Sequence, residues 1–336
     1  MMTTEEIESA CAAAQPPDFS RHELEPAEMR LQRTFHVMGF PVEVRTNDVE
    51  VLSVFETFGG AFRKRFNVEP IRVEVHVVDS DSLECPPTPT HNIVLPLVVW
   101  VADPLNFGIV DMERRSTKVV VSRGSLRFPL YLQYFFLEPA ASCHISTQFT
   151  TPVHGGCVAL EGRGVLLCGD SGAGKSTLSW ACARAGWDYI TDDASCLLHG
   201  EGDRLVMGNC YQVRFRPSAA ELFSEVAGLE ITPRAEGKPS IELPTARIPQ
   251  IRCVETAEVD FIVFLNRSWQ GEAELVPYRK DAARHYLRQV LFGTPELLAV
   301  QYAAVERLLT AEVFELRYTA LDSAIERLRT LVIEGH

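Results

Sequence analysis

Apolar and polar residues alternate with a period of two in several stretches of the first half of the chain, the pattern of a half-buried strand. Such runs predict a hairpin or two short strands over 35–44 and further strands over 71–78, 93–101, 106–111 and 118–121. Between the first two, the period lengthens over 48–58 to that of a helix, with Asp48 placed to cap its start and Gly59-Gly60 its end. The segment 81–91, with Cys85, Pro86, Pro87 and Pro89, reads as a turn-rich connection, and 126–136 as a helix rich in Tyr and Phe.

The second half has a different rhythm. A short, wholly apolar run over 164–168 predicts a buried strand, and 177–185 carries good helix formers with Leu178, Ala181 and Cys182 at helical spacing. An apolar run over 187–191 and another over 258–265 predict further strands. The helices expected over 281–292 and 295–309 are followed by a strand over 313–318 and a helix over 321–333, striped by Ala324, Leu328 and Leu331. Strands interleaved with helices predict an α/β domain over 149–336, preceded by a smaller α+β portion over 28–148. Residues 1–27 are polar and acidic with Pro16, Pro17 and Pro26, and are expected to form a flexible arm. The 28–148 portion carries no recognisable chemistry: it could choose a substrate, pack as a dimer surface or cover a sheet edge.

Composition narrows the functions. The 336 residues are 46% hydrophobic and 23% charged, enough to bury a sizeable core. A net charge of −13 excludes a nucleic-acid backbone or an anionic membrane as the main partner, because both demand a basic surface. The aromatic run over 126–136 lacks interleaved basic residues, which assigns it to a core or domain interface rather than to base stacking. No run approaches eighteen apolar residues, and the opening Met1-Met2-Thr3-Thr4-Glu5-Glu6 has no basic and apolar leader pattern, so the expected location is the cytoplasm. The nine cysteines are odd in number with no Cys-x-x-Cys pair, as suits reduced thiols. Cys168, Cys182, Cys196 and Cys210 recur every fourteen residues, but they fall on elements of different type, so the spacing describes no shared face.

The chemistry concentrates in Gly169-Asp170-Ser171-Gly172-Ala173-Gly174-Lys175-Ser176-Thr177, set between the apolar run and the helix-like run. Its glycines admit backbone conformations closed to residues with a Cβ, so that successive N–H groups can cradle phosphate oxygens. The helix start adds its unsatisfied N–H groups and the positive end of its dipole. Lys175 can reach terminal phosphates, and Ser176 can offer its hydroxyl to Mg²⁺. Seventeen residues beyond Lys175, the run 187–191 ends in the adjacent acids Asp192 and Asp193. One can hold the metal while the other takes a proton from an attacking hydroxyl; neighbours on a strand face opposite ways, which suits two separate tasks.

Three ordered elements, His154-Gly155-Gly156, the run from Gly164 through the loop to Ser176, and Ala185-Gly186-Trp187-Asp188-Tyr189-Ile190-Thr191-Asp192-Asp193, resemble the catalytic core of the HPr kinase/phosphorylase family. The likeness is close over 154–193 and looser over 150–336. It implies a P-loop nucleotide-binding fold of the HPr kinase and phosphoenolpyruvate carboxykinase type, and an ATP- and Mg²⁺-dependent transfer of phosphate to a serine hydroxyl. By the match, Lys175 and Ser176 hold phosphates and Mg²⁺, the Asp192/Asp193 pair supplies metal contact and general base, and His154 lies beside the phosphates. Members often assemble into rings, which makes a homo-oligomer possible. Two departures stand out: Thr177 replaces the family's Glu after the loop serine, and the Gly-rich segment with Arg is absent from 196–228. Both put HPr as acceptor, and the reverse phosphorylase reaction, in doubt. The chain looks closer to the broad group of HPr-kinase-related proteins, whose targets include peptide natural products.

Outside that core, Arg214 and Arg216 alternate with Val213 and Phe215 as on a strand with one polar face, either solvated or poised to clamp a phosphoryl group. Lys238, in the turn Glu236-Gly237-Lys238-Pro239, is a similar candidate. Arg284, His285 and Arg288 share a helix face that reads as solvated before it reads as a phosphate contact. The sequence thus points to a kinase acting on a protein or peptide serine. It leaves open a small-molecule acceptor, and a nucleotide-responsive binding protein with little turnover.

Overall fold

The computed structural model describes residues 29–233, 239–267 and 270–335, together with Glu5, Glu6 and Ser9. Apart from those three residues the arm expected over 1–27 lies outside the described residues, and so does Lys238. The fold is mixed α/β with several sheets, divided into two compact units, Met1–Gln148 and Phe149–His336.

The first unit is built on a seven-stranded mixed sheet. Its strands are β1 (Leu31–Val37), β2 (Phe40–Thr46), β3 (Ile71–Val78), β4 (Thr90–Val94), β5 (Leu97–Asp103), β6 (Asn106–Asp111) and β7 (Ser116–Ser122), in the order β1-β2-β3-β7-β6-β5-β4. Val42, Val44, Ile71, Val73, Val75, Val119 and Val121 are fully buried at alternate positions, as the period-two pattern requires. Helix α1 (Val49–Gly59) buries Val51, Val54, Phe55 and Phe58, and the Asp48 side chain accepts a hydrogen bond from the Glu50 N–H at 2.9 Å to cap it.

Two expectations need correction here. The stretch over 93–101 is not one strand: the chain turns at Leu95-Pro96 and folds β4 back on β5, because Pro96 has no N–H to donate to a ladder. The aromatic segment is not one helix ending at 136. It runs as a 3₁₀ turn (Arg123–Arg127), an α turn (Pro129–Leu132) and a π turn (Gln133–Leu137) into helix α2 (Glu138–Gln148). All five π-turn residues are buried, which a regular helix with a single apolar stripe would not allow.

The second unit carries the strands β8 (Thr150–His154), β9 (Gly156–Leu160), β10 (Arg163–Cys168), β11 (Asp188–Thr191), β12 (Ala194–Leu198), β13 (Leu205–Gly208), β14 (Gln212–Phe215), β15 (Ile231–Pro233), β16 (Pro239–Pro244), β17 (Arg252–Cys253), β18 (Thr256–Asn266), β19 (Glu274–Pro277) and β20 (Glu312–Arg317). Its helices are α3 (Lys175–Arg184), α4 (Lys280–Arg288), α5 (Pro295–Leu308) and α6 (Leu321–Glu334). The main sheet runs β17-β11-β9-β10-β18-β13-β12-β8, with β20 also paired to β18 and β19 to β20. A separate small sheet has the order β14-β16-β15.

Strand β10 lies parallel to β18, and β18 parallel to β20, at the centre of the sheet. Their side chains divide between two cores. Val165, Leu167, Phe261 and Val263 pack with Leu178 and Cys182 of α3 and Leu328 and Leu331 of α6. Leu166, Cys168, Ile262 and Phe264 pack with Ala283 and Leu287 of α4 and Val305 and Leu308 of α5. A parallel sheet covered on both faces needs strands apolar on both, which is why β10 reads as an unbroken apolar run. No helix among the described residues is long and apolar enough to cross a membrane.

Candidate functional site

The site begins where β10 leaves the sheet. After Cys168 the chain turns through Gly169–Ala173, with the Ala173 N–H donating to the Asp170 carbonyl at 3.0 Å, and enters α3 at Lys175. Gly174 caps that helix at φ 103, and a Cβ there would lie 3.0 Å from Arg267 Cδ and 3.2 Å from the Tyr318 hydroxyl. Glycine is favoured there by the left-handed backbone, and a Cβ would in addition crowd those two side chains. The first turn of α3, from Lys175 to Thr177, presents N–H groups that a helix cannot satisfy by itself, and the Leu178 N–H is the first to find a helical partner, the Gly174 carbonyl at 2.8 Å.

Lys175 opens α3, yet it is only 4% exposed because its side chain folds back under the loop. Its Nζ lies 2.7 Å from the Gly169 carbonyl, 3.4 Å from that of Asp170, 3.2 Å from Asp193 Oδ1 and 3.0 Å from His154 Nε2. His154 closes β8, and the antiparallel pairing of β8 with β12 sets it opposite Ala194, so that Asp193 falls beside it. Its Nδ1 lies 3.8 Å from Asp193 Oδ2.

Asp192 occupies different surroundings. It is 8% exposed at the end of β11, and its Oδ2 accepts the Arg214 N–H at 3.2 Å, while the Ser176 hydroxyl neighbours its carboxylate. Burial, and then the neighbouring Asp193 charge, push its pKa above the usual carboxylate range; Arg214 and the hydrogen bonds oppose the shift. Asp193 is about one-third exposed and faces Lys175. A Cβ on Gly156 would stand 2.7 Å from the Asp192 carbonyl, so glycine lets β9 approach the acid pair.

A cleft of about 410 Å³ opens over these groups, lined by His154, Lys175, Ser176 and Asp193 and by Arg214 and Arg216 from the small-sheet side. Arg214 Nε is 3.8 Å from Glu242 Oε1, and an Arg216 nitrogen is 3.5 Å from Ser171 Oγ. The two arginines thus border the loop. Arg284 and Arg288 do not: both pair with Glu306 of α5, at 2.7 and 2.9 Å, because α4 and α5 pack side by side.

Two contributors escaped the sequence reading. Arg267, just past the end of β18, also lines the cleft. Tyr286 of α4 sets its hydroxyl 3.1 Å from the Gly169 N–H, 2.8 Å from the Gly169 carbonyl and 2.9 Å from the His154 carbonyl, joining the loop to β8. The available signal was a hydroxyl on the buried stripe of α4, between Ala283 and Leu287. On the other side of the loop a second cleft of about 460 Å³ is walled by Tyr278, Tyr286 and Phe264, with Phe264 and Tyr278 stacked at 4.4 Å.

Among the described residues, no three His, Cys, Asp or Glu side chains are placed to hold a metal by themselves. The donor set is instead one hydroxyl and one buried carboxylate, Ser176 and Asp192, beside a loop able to take phosphates. That fits Mg²⁺, which binds through one or two protein oxygens and completes its shell with phosphate and water.

A scan against protein-family models finds no match, and no curated protein matches the chain. Among solved structures the chain is similar to the Hpr(Ser) kinase/phosphatase from Coxiella burnetii, at 12% identity and a TM-score of 0.31, over 55% of this chain and 93% of that one. This is a distant structural resemblance, and the reading of the site rests on its own geometry.

Proposed function

We propose that this protein is a Mg²⁺-dependent phosphotransferase that moves the γ-phosphoryl group of ATP to a hydroxyl, a serine of a protein or peptide. The observation that carries the reading is the convergence of Lys175, His154 and Asp193 at the mouth of the glycine loop, with Ser176 and Asp192 neighbouring each other beside them.

The loop N–H groups and the start of α3 would hold the phosphates, and the Lys175 ammonium would exchange its present partners for the terminal phosphate oxygens. Ser176 and Asp192 would hold Mg²⁺, which offsets phosphate charge when bound. Asp193, the more exposed acid, would take the proton of the attacking hydroxyl, with His154 fixing its second oxygen. Arg214 and Arg216 would meet the charge that spreads over the transferring group. The aromatic cleft across the loop would seat the nucleotide base against Tyr278.

The test is a melting-temperature panel of the full chain with ATP, ADP, GTP and pyrophosphate, each with and without Mg²⁺, followed by label transfer from γ-labelled ATP to serine peptides. A Mg²⁺-dependent rise with ATP and label on serine support the reading. No rise with any nucleotide sinks it.

A further inference from the structure

Two thiols near the site, but outside it, form a pair that the proposed reaction does not use. Cys253 ends β17, which pairs in parallel with β11 so that Tyr189 lies opposite Cys253. Cys210 lies two residues before β14. Thr245 holds both segments: its N–H donates to the Tyr211 carbonyl at 3.0 Å, its hydroxyl donates to the Cys210 carbonyl at 2.8 Å, and the Cys253 Sγ lies 3.2 Å from the same hydroxyl oxygen. The two thiols interact across this joint, with Cys210 fully buried and Cys253 exposed.

We propose that Cys253 and Cys210 form a peroxide-reactive dithiol site, in which the exposed Cys253 is the attacking thiolate and the buried Cys210 the resolving thiol. A thiolate that interacts with a neighbouring thiol is placed to form a disulfide with it, a bond that joins Cβ atoms about 3.8 Å apart. The interaction with the Cys210 thiol holds Cys253 below the ordinary thiol range, which raises its thiolate fraction at neutral pH. The same contact pushes Cys210 up, so it waits protonated.

The remaining described cysteines lack one or both properties. Burial pushes Cys168 and Cys182 up to about 12 and Cys143 and Cys196 up to about 11. Cys157 adjoins Cys168 but is fully buried beside it, where no oxidant reaches. Cys85 is exposed, but burial of its sulfur raises it, and no second thiol stands by among the described residues.

The chemistry balances with hydrogen peroxide as oxidant. The Cys253 thiolate attacks one peroxide oxygen, an S–O bond forms, the O–O bond breaks, and the departing hydroxide takes a proton to leave as water. Cys210, giving up its proton, then attacks the Cys253 sulfur; the S–S bond forms, the S–O bond breaks, and the second oxygen leaves as water. The thiol pair loses two electrons and the peroxide gains them. The bond would tie the approach to β14, whose Arg214 N–H holds Asp192, directly to β17, which pairs with β11.

The experiment treats the full chain with a small excess of hydrogen peroxide, alkylates the remaining thiols and maps the peptides by mass spectrometry. The expected result is the loss of two alkylatable thiols, a Cys210–Cys253 linked peptide, and its reversal by a dithiol reductant. In Cys253→Ser the linked peptide and the loss of two thiols should vanish, whereas Cys85→Ser should leave both unchanged. In Cys210→Ser, oxidation should halt at a Cys253 sulfenic acid trapped by a dimedone-type probe. Oxidation of Cys85 ahead of Cys253, or Cys253 oxidised to sulfinic acid in the unaltered chain with no linked peptide, would overturn the proposal. The mapping requires no nucleotide, so it succeeds or fails independently of the phosphotransferase reading.

Discussion

Lys175 Nζ and His154 Nε2 lie 3.0 Å apart, nitrogen to nitrogen. An ammonium can only donate, so the histidine accepts through Nε2 and carries its proton on Nδ1, the atom 3.8 Å from Asp193 Oδ2. Lysine, histidine and aspartate therefore close a ring, since Lys175 also meets Asp193 Oδ1 at 3.2 Å. A phosphate entering the loop has to open that ring by taking the ammonium.

Lys175→Ala removes the charge that the entering phosphate would take. A ligand at a hundredfold excess over its Kd stabilises by about 2.7 kcal/mol. The Mg²⁺-dependent rise in melting temperature with ATP should appear in the unaltered chain and be lost in the variant. A rise of equal size in both would remove Lys175 from phosphate binding.

Asp193→Asn should separate binding from chemistry. The amide retains the shape but cannot take a proton, so transfer to a serine peptide should fall about 10²–10⁴-fold while the ATP-induced melting shift persists. Unchanged transfer would assign the base elsewhere.

Asp192 predicts a pH dependence of stability. Its pKa is raised in the folded chain, so between the unfolded and folded values the native state binds the extra proton. The protonated form therefore favours folding, and that contribution is lost as pH rises through the folded value. Asp192→Asn removes the titration. Without nucleotide the variant should melt higher than the unaltered chain at neutral pH, by roughly 2–4 °C for a relief of ~1 kcal/mol, and the gap should close in acid. Melting curves across pH check this; a variant less stable at every pH contradicts it.

Tyr286→Phe keeps the ring against Phe264 but removes the hydroxyl beside Gly169 and His154. An N–H left without its partner in a buried place costs about 1–3 kcal/mol. The variant should melt lower and bind ATP more weakly, because the loop's first residue is no longer fixed to β8. Chemical denaturation and ATP titration together check it.

Tyr278→Ala distinguishes the two clefts. If the base rests on the aromatic wall, affinity for ATP should fall by about tenfold, the scale of one lost aromatic contact. Affinity for tripolyphosphate should not change. Titration of both ligands decides; an equal loss for both would place the defect at the loop.

The sequence carried the local part of this architecture. The Gly169–Thr177 loop, the strand before it and the helix after it are contiguous, and their geometry follows from residue types at fixed spacing. The helices 48–58 and 321–333 were legible for the same reason, since capping and period act within a few residues. The strands β8, β9 and β13 were not legible: each is only four or five residues long, and what holds it is a partner distant in sequence. Arg284 and Arg288 show the converse, because their partner Glu306 sits on a different helix.

By itself the sequence determined a glycine loop at a strand-to-helix junction and two adjacent acids facing different ways, because backbone freedom and strand alternation are properties of neighbouring residues. Only the tertiary structure decided that His154 meets Lys175, that Tyr286 joins the loop to β8, that the Arg214 N–H holds Asp192, and that Cys253 stands beside Cys210. Those contacts depend on strand register and helix packing across the sheet. Register and packing are fixed by burial of apolar side chains summed over the whole unit, which no short stretch of sequence encodes.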